Sequence, residues 1–138
     1  MGISIEPQVL ADMLAHARDQ APRECCGLLV GREDSVVRSV RAKNLDASAT
    51  RYLIDPADHF KAIRAARADR LEVIGAYHSH PASPPVPSRT DVAEADSGPD
   101  FFYVIVSLVN AEARAYRIDR GVYQPVELNA RPLPRERA

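Results

Sequence analysis

The chain has 138 residues, 46% hydrophobic and 27% charged, which is enough for one core of ordinary size and too few for two comfortable domains. A formal net charge of -1 without a sustained basic run lacks the footprint that a phosphate backbone demands, so nucleic acid is excluded as the expected partner. No window approaches the roughly 20 apolar residues of a membrane span, and the N-terminus has no basic segment leading into an apolar one; one cytoplasmic domain over residues 1–130, with no membrane partner, is expected.

The first periodic segment runs from Pro7 to about Gln20, where Val9, Leu10, Met13, Leu14 and Ala17 recur at helical spacing and Pro7 suits a first turn. An amphipathic helix is predicted there. Beyond Pro22, the apolar run from Cys25 to Val30, closed by Gly31, and the alternating run from Val36 to Val40 read as two strands joined by a polar turn at Arg32 to Ser35. Asp55 and Pro56 supply an N-cap and a first-turn proline for a second helix through Phe60, Ile63 and Ala66 to about Arg70. Leu71 to Tyr77 reads as a strand ending directly in His78, because the prolines from Pro81 to Pro87 remove ladder donors. A short helix follows Ser88, and Phe101 to Leu108, Ala113 to Ile118 and Val122 to Leu128 supply the later strands. The fold class is therefore α/β, a mixed β-sheet flanked by helices in a sandwich. Arg131 to Ala138 is charged and proline-containing and reads as a frayed tail.

His78 and His80 are two residues apart at a strand end, so both imidazoles can aim at one point while Ser79 looks away. An H-x-H pair alone is a weak signal. Here it leads into a stiff loop with prolines at 81, 84, 85 and 87, and then into Ser88 and Asp91. Ser88 and Asp91 fit a reciprocal helix cap without any metal, yet Asp91 can also offer a carboxylate oxygen beside the two imidazole nitrogens. Three ligands of that kind leave a fourth position for water, the arrangement of a catalytic zinc. Glu24, at the mouth of the Cys25 strand, is either a solvated charge or the acid/base such a site needs. Cys25 and Cys26 are neighbours on opposite strand faces, poorly placed to bridge, and read as small buried hydrophobes or, with His78 as base, as a nucleophilic thiol. His16 and His59 lie on the predicted helices at no ligand spacing and are expected to face solvent.

Taken together, Glu24, His78-Ser79-His80-Pro81, Ser88 and Asp91 resemble the JAMM (MPN+) metalloprotease motif. The run from Glu24 to Gly31 is similar to the glutamate-bearing strand of short prokaryotic members, and Tyr103 to Ser107 to the strand after their motif, so the resemblance covers Pro22 to Leu108. It implies an MPN, cytidine-deaminase-like sandwich holding one zinc per chain on His78, His80 and Asp91. Glu24 would activate water and Ser88 would hydrogen-bond the oxyanion. The implied substrate is the amide bond after the C-terminal Gly-Gly of a small ubiquitin-like or sulfur-carrier protein. Only about ten residues separate Asp91 from the next strand, leaving no room for the larger insertion of eukaryotic deubiquitinating members. Whether cysteine, another amino acid or a lysine-linked protein is released is not legible, nor is the oligomeric state. The competing readings are a non-catalytic MPN scaffold and the cysteine hydrolase; a zinc deaminase would need H-x-E and P-C-x-x-C, which the chain lacks.

Overall fold

Residues 2–133 are described by a computed structural model, in the order β1 (Gly2–Ile5), α1 (Pro7–Gln20), β2 (Cys26–Arg32), β3 (Ser35–Ala42), α2 (Pro56–Ala68), β4 (Glu72–His80), α3 (Arg89–Glu94), β5 (Phe102–Ser107), β6 (Glu112–Asp119) and β7 (Val122–Ala130). The α1 stripe of Val9, Met13, His16 and Ala17 is buried against the sheet, and Pro7 occupies its first turn. Asp55 caps α2 by accepting the Ala57 N–H, with Pro56 next in line, as the sequence predicts. No helix among the described residues is long and apolar enough to cross a membrane.

The sheet runs β1-β3-β2-β4-β5-β6-β7 and closes on itself, because β1 pairs in parallel with both β3 and β7. The expected mixed α/β architecture is present, with the sheet curled into a barrel-like layer. β2 is buried from Cys26 through Gly31 and lies antiparallel between β3 and β4. Gly27 is required there, since a Cβ would meet the Tyr77 ring at 2.3 Å and the Val40 carbonyl oxygen at 2.4 Å. One face of the sheet packs Ile3, Ile5, Leu29, Tyr77 and Val104 against α1. The opposite face packs Leu28 and Ala76 against Ala62 of α2, and Ile105 and Tyr116 against Val92 of α3.

Four sequence expectations change. β1 is a strand that the sequence reading does not contain, because four residues show little alternation and its partners lie far along the chain. β4 does not stop before His78 but runs through His80, held in parallel register by β5, where His78 faces Ile105 and His80 faces Ser107. His16 does not face solvent. It is 4% exposed and its Nδ1 lies 2.7 Å from the Tyr77 hydroxyl. The start of the tail is not frayed: the Arg131 guanidinium donates to Ser4 Oγ at 2.8 and 3.1 Å, and the Leu133 N–H donates to Glu6 Oε1 at 2.8 Å. The rest of that expectation, residues 134–138, lies outside the described residues.

Candidate metal centre

The centre is built from the C-terminal end of β4 and the first turn of α3. Strand alternation points His78 and His80 the same way and turns Ser79 to the other side, where its Oγ accepts the Cys25 N–H at 2.7 Å. The Ser79 N–H donates in return to the Cys25 carbonyl at 3.1 Å, so the β2–β4 pairing extends past β2 and fixes the backbone next to Glu24. Ser88 and Asp91 form a reciprocal cap: Ser88 Oγ accepts the Asp91 N–H at 3.0 Å, and Asp91 Oδ2 accepts the Ser88 N–H at 2.9 Å. The cap does not exclude a ligand role, since it holds the carboxylate toward the histidines. The proline-containing loop between them is clamped by Ser107 Oγ donating to Ser83 O at 2.6 Å and by the Tyr116 hydroxyl donating to Pro85 O at 2.6 Å.

His78 Nε2, His80 Nε2 and Asp91 Oδ2 form a nearly equilateral triangle with sides of 3.2, 3.1 and 3.1 Å. All three residues are buried, and they make a group that can hold a metal ion. Donors on a tetrahedral ion with bonds of 2.0–2.1 Å stand about 3.3 Å apart, close to what is seen. His80 Nδ1 lies 2.8 Å from the Pro84 carbonyl and donates to it, which leaves a lone pair at Nε2 in the neutral ring. In the neutral ring that lone pair faces a carboxylate oxygen 3.1 Å away, a repulsion that either a proton on Nε2 or a metal cation between the atoms removes. The donor set of two imidazoles and one carboxylate suits zinc with an open position.

The electrostatics follow from burial and from these contacts. Burial lowers His78 below the ordinary histidine value against the pull of Asp91. Burial also works to lower His80, yet its hydrogen bonds with Asp91 and the Pro84 carbonyl leave it raised. Burial works to raise Asp91, and the two imidazoles overturn this and hold it well below the usual carboxylate range. Glu24 is 4% exposed, and burial, reinforced by Asp91 and Asp46 against His80, raises it to about 8. Its Oε1 has no hydrogen-bond partner among the described residues. The Glu24 backbone is held on both sides, its N–H donating to Ser48 O at 2.8 Å and its carbonyl accepting from Asn44 Nδ2 at 3.0 Å. Ser88, His78, His80, Asp91 and Glu24 thus share one end of the sheet.

Three residues beyond that set support the site. Tyr52 stacks on the His78 imidazole with centroids 4.3 Å apart and planes within 18°. His78 Nδ1, unlike that of His80, has no hydrogen-bond partner among the described residues, so outside the triangle the stacked Tyr52 ring is what this imidazole rests on. Ser79 and Asn44 position Glu24 through the backbone. None of the three carries a periodic or spacing signal; a lone aromatic in a polar loop is the only hint of Tyr52 in the sequence. Cys25 and Cys26 are free, buried thiols, pushed up by burial to about 11 and about 12, which leaves neither as a ready thiolate.

Known proteins resemble this chain in sequence and in fold. The family described as prokaryotic homologs of the JAB domain matches residues 6–119. The chain is 39% identical over 131 residues to the CysO-cysteine peptidase of Mycobacterium tuberculosis, covering 91% of this chain and 88% of that protein. It is 37% identical over 114 residues to a desampylase of Haloferax volcanii, covering 76% of this chain and 80% of that protein. A protein of Desulfitobacterium hafniense solved in solution superposes with a TM-score of 0.86 at 32% identity, covering 94% of this chain and 92% of its own.

Proposed function

This chain belongs to the prokaryotic homologs of the JAB domain, and from that premise we propose that it is a cytoplasmic zinc peptidase. The bond hydrolysed is the amide after the C-terminal Gly-Gly of a small ubiquitin-like or sulfur-carrier protein. His78, His80 and Asp91 hold the metal, Glu24 moves the proton and Ser88 stabilises the oxyanion. The observation that carries this reading is the triangle of three buried donor atoms with sides of 3.1 to 3.2 Å. Substrate class is supported by the relatives, one named for the CysO-cysteine conjugate and another as a desampylase.

Zinc bound at such a site supplies Lewis acidity and lowers the pKa of water to about 7. Glu24, a buried carboxyl beside the ligands, takes a proton from water and returns it to the leaving nitrogen; the charge of a zinc ion there would offset the upward pull of burial and keep it ionised. Its unpartnered Oε1 leaves a lone pair free for that transfer, a feature a purely structural scaffold has no reason to bury. Ser88 accepts through Oγ in the cap, so its hydroxyl proton remains available to the oxygen that gains charge as the carbonyl is attacked. Ligands buried to this degree favour glycine at the cleaved position, where backbone can come close without a Cβ.

The test joins metal content to cleavage. Purified protein should carry about one zinc per chain by elemental analysis, and His80→Ala and Asp91→Ala should each lose most of it. Intact mass spectrometry of a Gly-Gly carrier extended by cysteine or joined to lysine should show cleavage after the last glycine, stopped by a chelator. Full metal in the variants removes the ligand assignment; cleavage that survives complete zinc removal removes the mechanism.

A further inference from the structure

Resting on that reading, we infer that the groove between Tyr52 and α3 is a specificity subsite: it takes an apolar side chain from the substrate residue that precedes Gly-Gly, and the Tyr103 hydroxyl donates to the backbone of the tail there. The groove has a volume of about 530 Å³. Its floor is the row of Leu28, Ala76 and Tyr103, which face one another across β2, β4 and β5. The next row along these strands is Cys26, His78 and Ile105, so the floor sits two residues before the first ligand histidine and on the same face. One wall carries Tyr52, whose ring stacks on His78 with centroids 4.3 Å apart. The other is Ala93 and Glu94 of α3, the helix that presents Asp91. Two of the three ligands therefore stand at its inner end.

Spacing fixes which substrate residue enters. Residues two apart in an extended chain are separated by about 6.6 Å, in β4 and in a bound tail alike. With the cleaved carbonyl at the triangle, the tail residue over the Ala76 row is the one two positions before the last glycine, which is the residue preceding Gly-Gly. The glycines have no side chain to read, so selection begins at this position. Leu53, Ile54 and Phe101 surround the floor and offer no charge. At the rim Asp46 and Glu94 are both engaged by Arg51, at 3.6 and 2.5 Å, so a basic side chain has to compete there with a cation already in place; Asp96 is the remaining rim carboxylate. Tyr103 is 4% exposed, and its hydroxyl has no hydrogen-bond partner among the described residues. Glu24 Oε1 and His78 Nδ1 are in the same state, and both belong to the site. A buried hydroxyl without a partner is costly, and an extended tail brings the backbone carbonyl that would satisfy it.

The zinc-loaded enzyme should be given the carrier CysO made to end in Gly-Gly-Cys, in four forms that carry leucine, alanine, lysine or aspartate directly before Gly-Gly. Leucine should exceed alanine about tenfold in kcat/KM, and lysine and aspartate by more, as expected for an apolar pocket. Ala93→Leu fills the groove from an exposed position on α3, and with zinc content and thermal midpoint unchanged the advantage of leucine over alanine should disappear. In Tyr103→Phe, KM should rise about fivefold for all four forms with kcat unchanged. The thermal midpoint of that variant should hold or rise, because the free protein loses no hydrogen bond; a hydroxyl with a purely structural role would lower the midpoint and leave KM alone. Equal turnover of the leucine and alanine forms, fastest turnover of the lysine form, a leucine advantage unmoved in Ala93→Leu, or a wild-type KM in Tyr103→Phe overturns the inference and leaves the hydrolase reading standing. Cleavage of none of the four by the zinc-loaded protein overturns both.

Discussion

His78 and His80 reach one point by different supports. His80 is held through Nδ1 by the Pro84 carbonyl at 2.8 Å, whereas His78 has no such bond and leans on the Tyr52 ring. Outer contacts of this kind typically change metal affinity by about 10- to 100-fold when removed. Tyr52→Leu should therefore weaken zinc binding about tenfold in a chelator competition, while Tyr52→Phe, which keeps the stacking ring, should bind as the wild type does. Equal affinity in Tyr52→Leu would mean that the ring only fills space. Glu24 gives the complementary residue-scale expectation. Glu24→Gln should retain zinc, because Glu24 is outside the ligand triangle, and lose about 10² to 10⁴ in turnover, since the amide cannot accept the proton. A Gln variant that turns over Gly-Gly substrate at the wild-type rate would falsify the general-base role.

At the scale of elements, α1 is joined to β4 by a polar contact inside an apolar face. His16 lies 2.7 Å from the Tyr77 hydroxyl, on the α1 side of the sheet, with the ligand histidines on the other. Burial, with help from Arg41 and against Asp19, lowers His16 to about 4 from an ordinary 6.5. The unfolded chain thus binds this proton at a higher pH than the folded one. The contribution of neutral His16 is complete above about pH 6.5, declines between 6.5 and 4, and levels off below that. Urea denaturation across that window should show the wild type losing about 1–3 kcal/mol more than His16→Gln, which can still bond to Tyr77 but does not titrate. Parallel pH dependences in the two proteins would remove His16 as the cause. The segment between β3 and α2 is organised by one side chain, Asn44, whose Nδ2 donates to the carbonyls of Glu24 and Arg51 and whose Oδ1 accepts from Asp46 and Leu53. Those bonds place Tyr52 over His78 and tie the base to the same segment.

At the scale of the whole molecule, the apolar core and the metal ligands are separable. Ile3, Leu29, Tyr77 and Val104 pack under α1 without the ligand side chains, while the triangle closes at the end of β4. Stripping the metal should leave far-UV circular dichroism unchanged and lower the thermal midpoint, with the size of the shift set by zinc concentration over its dissociation constant. Loss of secondary structure on chelation would instead make the metal part of the core, as in small structural zinc domains. The closed sheet explains why the centre can be preformed. β1 locks β7 to β3, and α3 need only cap itself to present Asp91 to a strand end already fixed by β2 and β5.

By itself, the sequence determined the local features: both long helices with their prolines, the strand pairs around the turn after β2, the reciprocal cap of Ser88 and Asp91, and the strand alternation that aims His78 and His80 together. Each of these rests on interactions a few residues apart, where spacing and backbone propensity suffice. The gathering of Glu24 with the later motif residues was legible only through resemblance to a family, because more than fifty residues of chain separate Glu24 from His78 and no local rule brings them together. The tertiary structure alone decided that β1 is a strand, that β4 continues through His80, that His16 is buried on Tyr77, that Arg131 is tied to Ser4, and that Tyr52 covers His78. In every one of those cases the partner is distant in sequence. Long-range pairing and burial override propensity there, and neither leaves a periodic trace in a short segment or a single side chain.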